Sequence, residues 1–196
     1  MAFLDLIWAG ISSFFSLLGY WLSLFFITPF QNFEVLWILI PIWLNLVVTD
    51  FYQEKHGTDL GNAVTNGVTI LWVGIDWIRF LLRNYTAFDG NFFLKMIFCL
   101  CIIAWGIFIT IQGIRGKRIV KIVGRVREIS YVMLVLTPFI YTIIEPSWNY
   151  LFSILLFFPL FYGIFELIDR SLPDPRTYQE ENKNTSRSEP LLNQKF

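Results

Sequence analysis

The sequence predicts an all-α fold, a polytopic membrane helix bundle of about six transmembrane helices, with a basic interfacial helix between the fourth and fifth and a disordered C-terminal tail. Three observations point there. Hydrophobic residues make up 56% of the 196 and charged residues 15%, with 21 Phe and 8 Trp, which leaves too little polar surface to cover a soluble domain of this length. Apolar runs near the roughly 20 residues needed to cross a bilayer recur along the chain, at about 4–27, 33–52, 62–82, 92–112, 129–146 and 148–168. Polar turns separate them. Residues 1–170 then form one transmembrane helical domain, and 171–196, rich in Pro, Asn, Ser and Glu, form a disordered polar cytoplasmic tail.

The first segment begins without Lys or Arg and carries Asp5, the wrong charge for a secretory signal, and its apolar run is longer than a signal core. It is therefore expected to remain, either spanning the bilayer or lying in its interface. Ala9, Ser12, Ser16, Gly19 and Ser23 recur at three- and four-residue steps, a line of small side chains that lets another helix approach closely. Thr28-Pro29 ends this segment, because the residue before proline is pushed out of helical geometry. Pro41 inside the second segment predicts a bend near Trp37, Trp43 and Asn45.

Between the second and third segments, Gly57 and Gly61 mark a turn that also holds Asp50, Glu54, His56 and Asp59. Asn45 and Asn66 lie at similar depths on either side of it, within reach of a hydrogen bond across the hairpin. Along the third helix, Asn62, Asn66, Thr69 and Asp76 share one face, and Ala63, Gly67 and Gly74 form a second, smaller-residue stripe beside it. Asp76 and Arg79, three apart, can meet on the helix surface. Together with Asn45 and Thr49, these groups form the candidate intramembrane polar site, since ionisable groups at membrane depth face protein or water.

Cys99 and Cys101 lie two apart on the fourth helix, roughly 200° around it from each other, and read as packing residues. The next stretch is the strongest charge feature. Arg115, Lys117, Arg118, Lys121, Arg125 and Arg127 stand against Glu128 alone, with Ile119, Ile122, Val123 and Val126 interleaved at helical spacing. That pattern predicts an interfacial helix whose cations contact anionic lipid headgroups. By the positive-inside rule the segment is cytoplasmic, and six crossings put both termini there as well. Arg83 and Lys95, on the outer side in this topology, run against the rule. Asn84-Tyr85-Thr86 fits the glycosylation pattern, close to the membrane. Glu166, Asp169 and Arg170 mark the inner end of the last helix.

Catalytic patterns are absent from the sequence. There is a single histidine, His56, no zinc-type spacing, no nucleophile elbow and no phosphate-cradling glycine loop, so no metal and no cofactor is expected. Net charge is zero and the basic stretch lacks aromatic interleaving, which argues against nucleic acid. Three functions fit. The first is a non-catalytic assembly or membrane-organising subunit, its helices held by polar contacts, its basic segment on lipid, and its partners membrane lipids and a homo- or hetero-oligomer. The second is a transporter or channel-like subunit with a polar path between the second and third helices. The third is a lipid-headgroup enzyme at the 50–61 turn, where Asp50, Glu54, His56 and Asp59 supply a general base.

Overall fold

The computed structural model describes residues 2–54, 57–85 and 88–173; His56, Thr86 and the tail beyond Pro173 lie outside the described residues. The described elements are helical, and no strand occurs among them. In order they are α1 (Ala2–Phe26), a 3-10 turn (Thr28–Gln31), α2 (Phe33–Val48), a π turn (Thr49–Gln53), α3 (Leu60–Asn84), α4 (Gly90–Ile114), α5 (Val120–Val123), α6 (Val126–Ile140), α7 (Trp148–Leu156) and α8 (Phe158–Ser171).

Four of the helix starts have a local cause. Side-chain oxygens of Asn32, Asp59, Asp89 and Ser147 accept hydrogen bonds from the amides of Glu34, Asn62, Phe92 and Tyr150, capping α2, α3, α4 and α7. At the end of α4, Gly116 takes a left-handed φ of +69°, with its own amide bonded to Gly113 and that of Lys117 to Gln112. This is a Schellman stop, and it ends the helix before the basic stretch can extend it. Pro159 splits the final segment at Phe157, and the carbonyl of Ile154, left without a helical partner, accepts from the Tyr131 hydroxyl at 2.5 Å. Tyr131 in turn accepts from Trp21 of α1 at 3.0 Å.

Four helical runs are long and apolar enough to cross a membrane: Leu4–Phe26, Phe33–Gln53, Gly90–Ile114 and Trp148–Ser171. These make the chain compatible with an integral membrane protein. The expected third and fifth spans are not among them. α3 has the length but carries Asn62, Asn66, Thr69, Asp76, Arg79 and Arg83, and α6 has only 15 residues. α6 is instead the centre of the bundle. Twelve of its residues are buried, against α1, α2, α3 and α8.

α3 and α4 form an antiparallel hairpin closed by glycines on both sides. A Cβ at Gly67 would stand 2.8 Å from the Thr110 hydroxyl, and one at Gly106 would stand 2.9 Å from the Gly67 carbonyl. Gly74 and Gly113 press against Ile103 and Val64 in the same way. The stripe on α3 thus meets a complementary one on α4. The stripe on α1 does not: Ala9, Ser12, Ser16 and Gly19 are exposed, and a Cβ at Gly19 would meet nothing within 4 Å. The basic interfacial helix also shrinks to the single turn of α5, because Gly116 and Gly124 bracket it.

Candidate functional site

The π turn after α2 builds the site. Its wide ring, closed by the Glu54 amide on the Thr49 carbonyl at 2.7 Å, turns Asp50 and Glu54 toward the first residues of α6. The N-cap residue of α6, Arg125, offers no side-chain cap, and Glu54 supplies one from a distance: its Oε2 accepts from the Val126 amide at 3.2 Å and from Thr58 at 2.7 Å. Its Oε1 accepts from Asn66 Nδ2 at 2.9 Å, and the same amide nitrogen donates to the Gly124 carbonyl at 2.9 Å. Asn66 therefore pins the turn and the α5–α6 junction together. Burial pushes the Glu54 carboxyl up, while the donors from Thr58, Val126 and Asn66 pull it the other way.

Arg127, one residue further along, is 8% exposed and held by carboxylates from two helices. Nε donates to Asp50 Oδ1 at 2.5 Å, Nη1 to Glu166 Oε2 at 2.8 Å and Nη2 to Asp169 Oδ2 at 3.4 Å, with the Tyr162 ring 5.1 Å from Cζ. This corrects the sequence expectation, which put Arg127 among lipid headgroups. Arg127 lies on a buried face of α6, away from lipid, and carboxylates satisfy the guanidinium from within.

Around this cluster lies a cavity of about 150 Å³. Five carboxylates line it, those of Asp50, Glu54, Glu128, Glu166 and Asp169, against the guanidiniums of Arg125 and Arg127. Gly57, Thr58 and Tyr162 complete the wall. Three buried oxygens have no donor among the described residues: Asp50 Oδ2, Glu128 Oε2 and Asp169 Oδ1. Also among those residues, no group of three His, Cys, Asp or Glu is disposed to hold a metal ion.

Of the turn residues read from sequence, Asp50 and Glu54 line this cavity, Asp59 caps α3, and His56 lies outside the described residues. The intramembrane groups are not brought together. Asn45 accepts from Thr49 at 3.1 Å, Asn62 donates to the Gln53 carbonyl at 3.4 Å and Thr69 to the Thr65 carbonyl at 3.0 Å. Asp76 takes Arg79 at 2.7 Å on one oxygen and the Tyr141 hydroxyl at 2.5 Å on the other. Buried Asn45 Nδ2 and Asn66 Oδ1 are left without partners, yet none of these residues lines the acidic cavity. The predicted bond between Asn45 and Asn66 does not form. Each amide side chain is engaged by a nearer group.

Arg115, Lys117, Arg118, Lys121 and Arg125 are exposed and make no ion pair among the described residues. Exposed Ile114, Ile119 and Ile122 accompany them. Sequence reading missed Thr58, Glu128 and Tyr162 as site residues, and took Glu166 and Asp169 only as a helix end. One signal was there: Asp50 with Glu54, and Glu166 with Asp169, are carboxylate pairs at helical spacing at the same end of the bundle, which together require a cation. No protein family, curated protein or solved structure matches the chain, so its function rests on this geometry.

Proposed function

We propose that the chain is a non-catalytic membrane-organising protein whose helices are held together by polar contacts and whose basic segment binds anionic lipid headgroups. The observation that carries this reading is the stretch from Arg115 to Arg125: five exposed cations without acidic partners among the described residues, set among exposed isoleucines at one end of the bundle. Apolar side chains in the acyl boundary beside cations in the headgroup layer are the pattern of a lipid-gripping segment, each cation contributing about 1 kcal/mol near an anionic surface. Favouring an organising role over a conducting one, Asn62, Asn66, Thr69 and Asp76 each bond to a neighbouring group of this chain. Assembly with a further helix would use the open small-residue face of α1.

The reading is tested with the combined variant Arg115→Gln, Lys117→Gln, Arg118→Gln and Lys121→Gln, reconstituted in bilayers of mixed phosphatidylglycerol and phosphatidylcholine. Electron spin resonance of labelled lipids should show a preference for phosphatidylglycerol in the parent protein, reduced at least roughly tenfold in the variant, given about 1 kcal/mol per removed charge. An unchanged preference would refute the proposal.

A further inference from the structure

The basic stretch is more ordered than a row of exposed cations need be. It leaves α4 at Gly113, which presses on Val64, and re-enters the bundle at Gly124, where an added Cβ would stand 3.1 Å from that of Ala63 and where Asn66 holds the carbonyl at 2.9 Å. Both ends are thus fixed on the first two turns of α3. Between them the Lys117 amide bonds to the Gln112 carbonyl, and the amides of Val120, Lys121 and Ile122 bond three residues back, to the carbonyls of Lys117, Arg118 and Ile119 at 3.3, 3.1 and 3.0 Å. Bonds of that spacing wind the backbone at three residues to the turn and set side chains three apart one above the other, about 6 Å along the axis. The stretch therefore has three faces. Fully buried Val120 and half-buried Val123 anchor it, exposed Ile119 and Ile122 form an apolar face, and exposed Arg118 and Lys121 form a cationic one. Neither cation has an acidic partner among the described residues, and like charges at this spacing repel.

We propose that Arg118 and Lys121 together seat one phosphomonoester headgroup, as in phosphatidic acid, with its acyl chains beside Ile119 and Ile122. This rests on the reading of the basic stretch as a lipid-binding segment and names the headgroup it selects. Two neighbouring cations are matched only by two negative charges in one place. A phosphodiester headgroup such as phosphatidylglycerol brings a single charge on its phosphate, whereas a phosphomonoester brings about 1.5–2 charges and three acceptor oxygens near neutral pH. The planar guanidinium can take two of those oxygens in parallel, and the ammonium meets the third as a point charge. A backbone held in place before the ligand arrives loses little freedom on binding, so the pair can discriminate between headgroups and not only respond to surface charge. A soluble phosphomonoester carries the same group but has nothing to lay against the exposed isoleucine pair, which favours the lipid.

Full-length protein is reconstituted in phosphatidylcholine bilayers, and electron spin resonance compares its association with spin-labelled phosphatidic acid and with spin-labelled phosphatidylmethanol, the diester that differs by one methyl group, against labelled phosphatidylcholine as reference. The parent should favour phosphatidic acid over phosphatidylmethanol about tenfold, the scale of one further charge-assisted hydrogen bond. Arg118→Gln with Lys121→Gln should abolish that preference. Arg115→Gln with Lys117→Gln, which removes the same charge from the same stretch, should lower the association of both lipids and keep the ratio between them. All four positions are exposed, so both double variants should unfold at the parent temperature. An equal loss of the ratio in the two double variants overturns the inference. A parent that favours phosphatidylmethanol over phosphatidylcholine, and phosphatidic acid no further, leaves the lipid-binding segment standing and refutes this headgroup. No preference for either anionic lipid over phosphatidylcholine refutes both. Displacement of labelled phosphatidic acid by soluble glycerol phosphate would assign the pair to a soluble phosphomonoester and overturn the lipid as its source.

Discussion

The two ends of α6, about 20 Å apart by its length, both bury a cation and treat it in opposite ways. At the N-terminal end Arg127 is enclosed by Asp50, Glu166 and Asp169, and oxygens are left over. At the C-terminal end Lys95 of α4 is 1% exposed, with a single acceptor, the Ile140 carbonyl at 3.5 Å, and the Tyr85 and Phe139 rings at 5.3 and 5.2 Å. One end has surplus acceptors, the other surplus donors. Burial alone therefore says little about a charged group in this bundle; the number of partners decides whether removing it breaks the fold or relieves it.

The largest effect should come from breaking the first end. Arg127→Met keeps most of the side-chain volume but strands Asp50 and Asp169, and stranding a buried ion partner costs about 3–5 kcal/mol. Thermal unfolding in detergent should show a large loss, and adding Asp50→Asn to Arg127→Met should recover part of it. If Arg127→Met unfolds at the parent temperature, the carboxylate cage is not holding the bundle and the contrast between the ends disappears. A smaller effect is expected from Tyr141→Phe at the other end, where the hydroxyl donates to Asp76 and the ring stacks on Phe80 at 4.0 Å between centroids. The stack survives and Asp76 keeps Arg79, so the cost should be about 1–2 kcal/mol, that of one hydrogen bond to a partly exposed charge. A loss as large as that of Arg127→Met would make the two ends equivalent.

The helices were legible in the sequence because their causes are local. Asp59 and Asp89 cap the third and fourth where the apolar runs begin, Pro29 closes the first, and the expected 62–82 and 92–112 enlarge only to Leu60–Asn84 and Gly90–Ile114. The Gly67 and Gly74 stripe was legible too, since close approach needs only the absence of a side chain. What hydropathy could not rank was α6, whose short length gives no sign that it is the central helix. That error carried Arg127 with it. In a row of basic residues nothing in the charge pattern separates the one that turns inward from its neighbours; the separation comes from Gly124, whose carbonyl is fixed by Asn66 and whose Cβ position is blocked by the Val120 carbonyl at 2.6 Å. The turn carboxylates were recognised as a group, but Asp59 is drawn off to cap α3 while Glu166 and Asp169 arrive from about 110 residues away, a contact no local pattern records.

Lys95→Met gives the smallest expected change and the sharpest test of the comparison. The substitution is close to volume-conserving, and the contacts it removes are two cation–π approaches and one hydrogen bond at the long limit of such bonds. Against these stands the cost of keeping a charged amine away from water with so few partners, which an apolar side chain does not incur. The terms nearly cancel, so unfolding in detergent should change by less than about 1 kcal/mol in either direction. Destabilisation of about 3 kcal/mol or more would mean that Lys95 is as firmly partnered as Arg127, and surplus donors would no longer distinguish this end of α6.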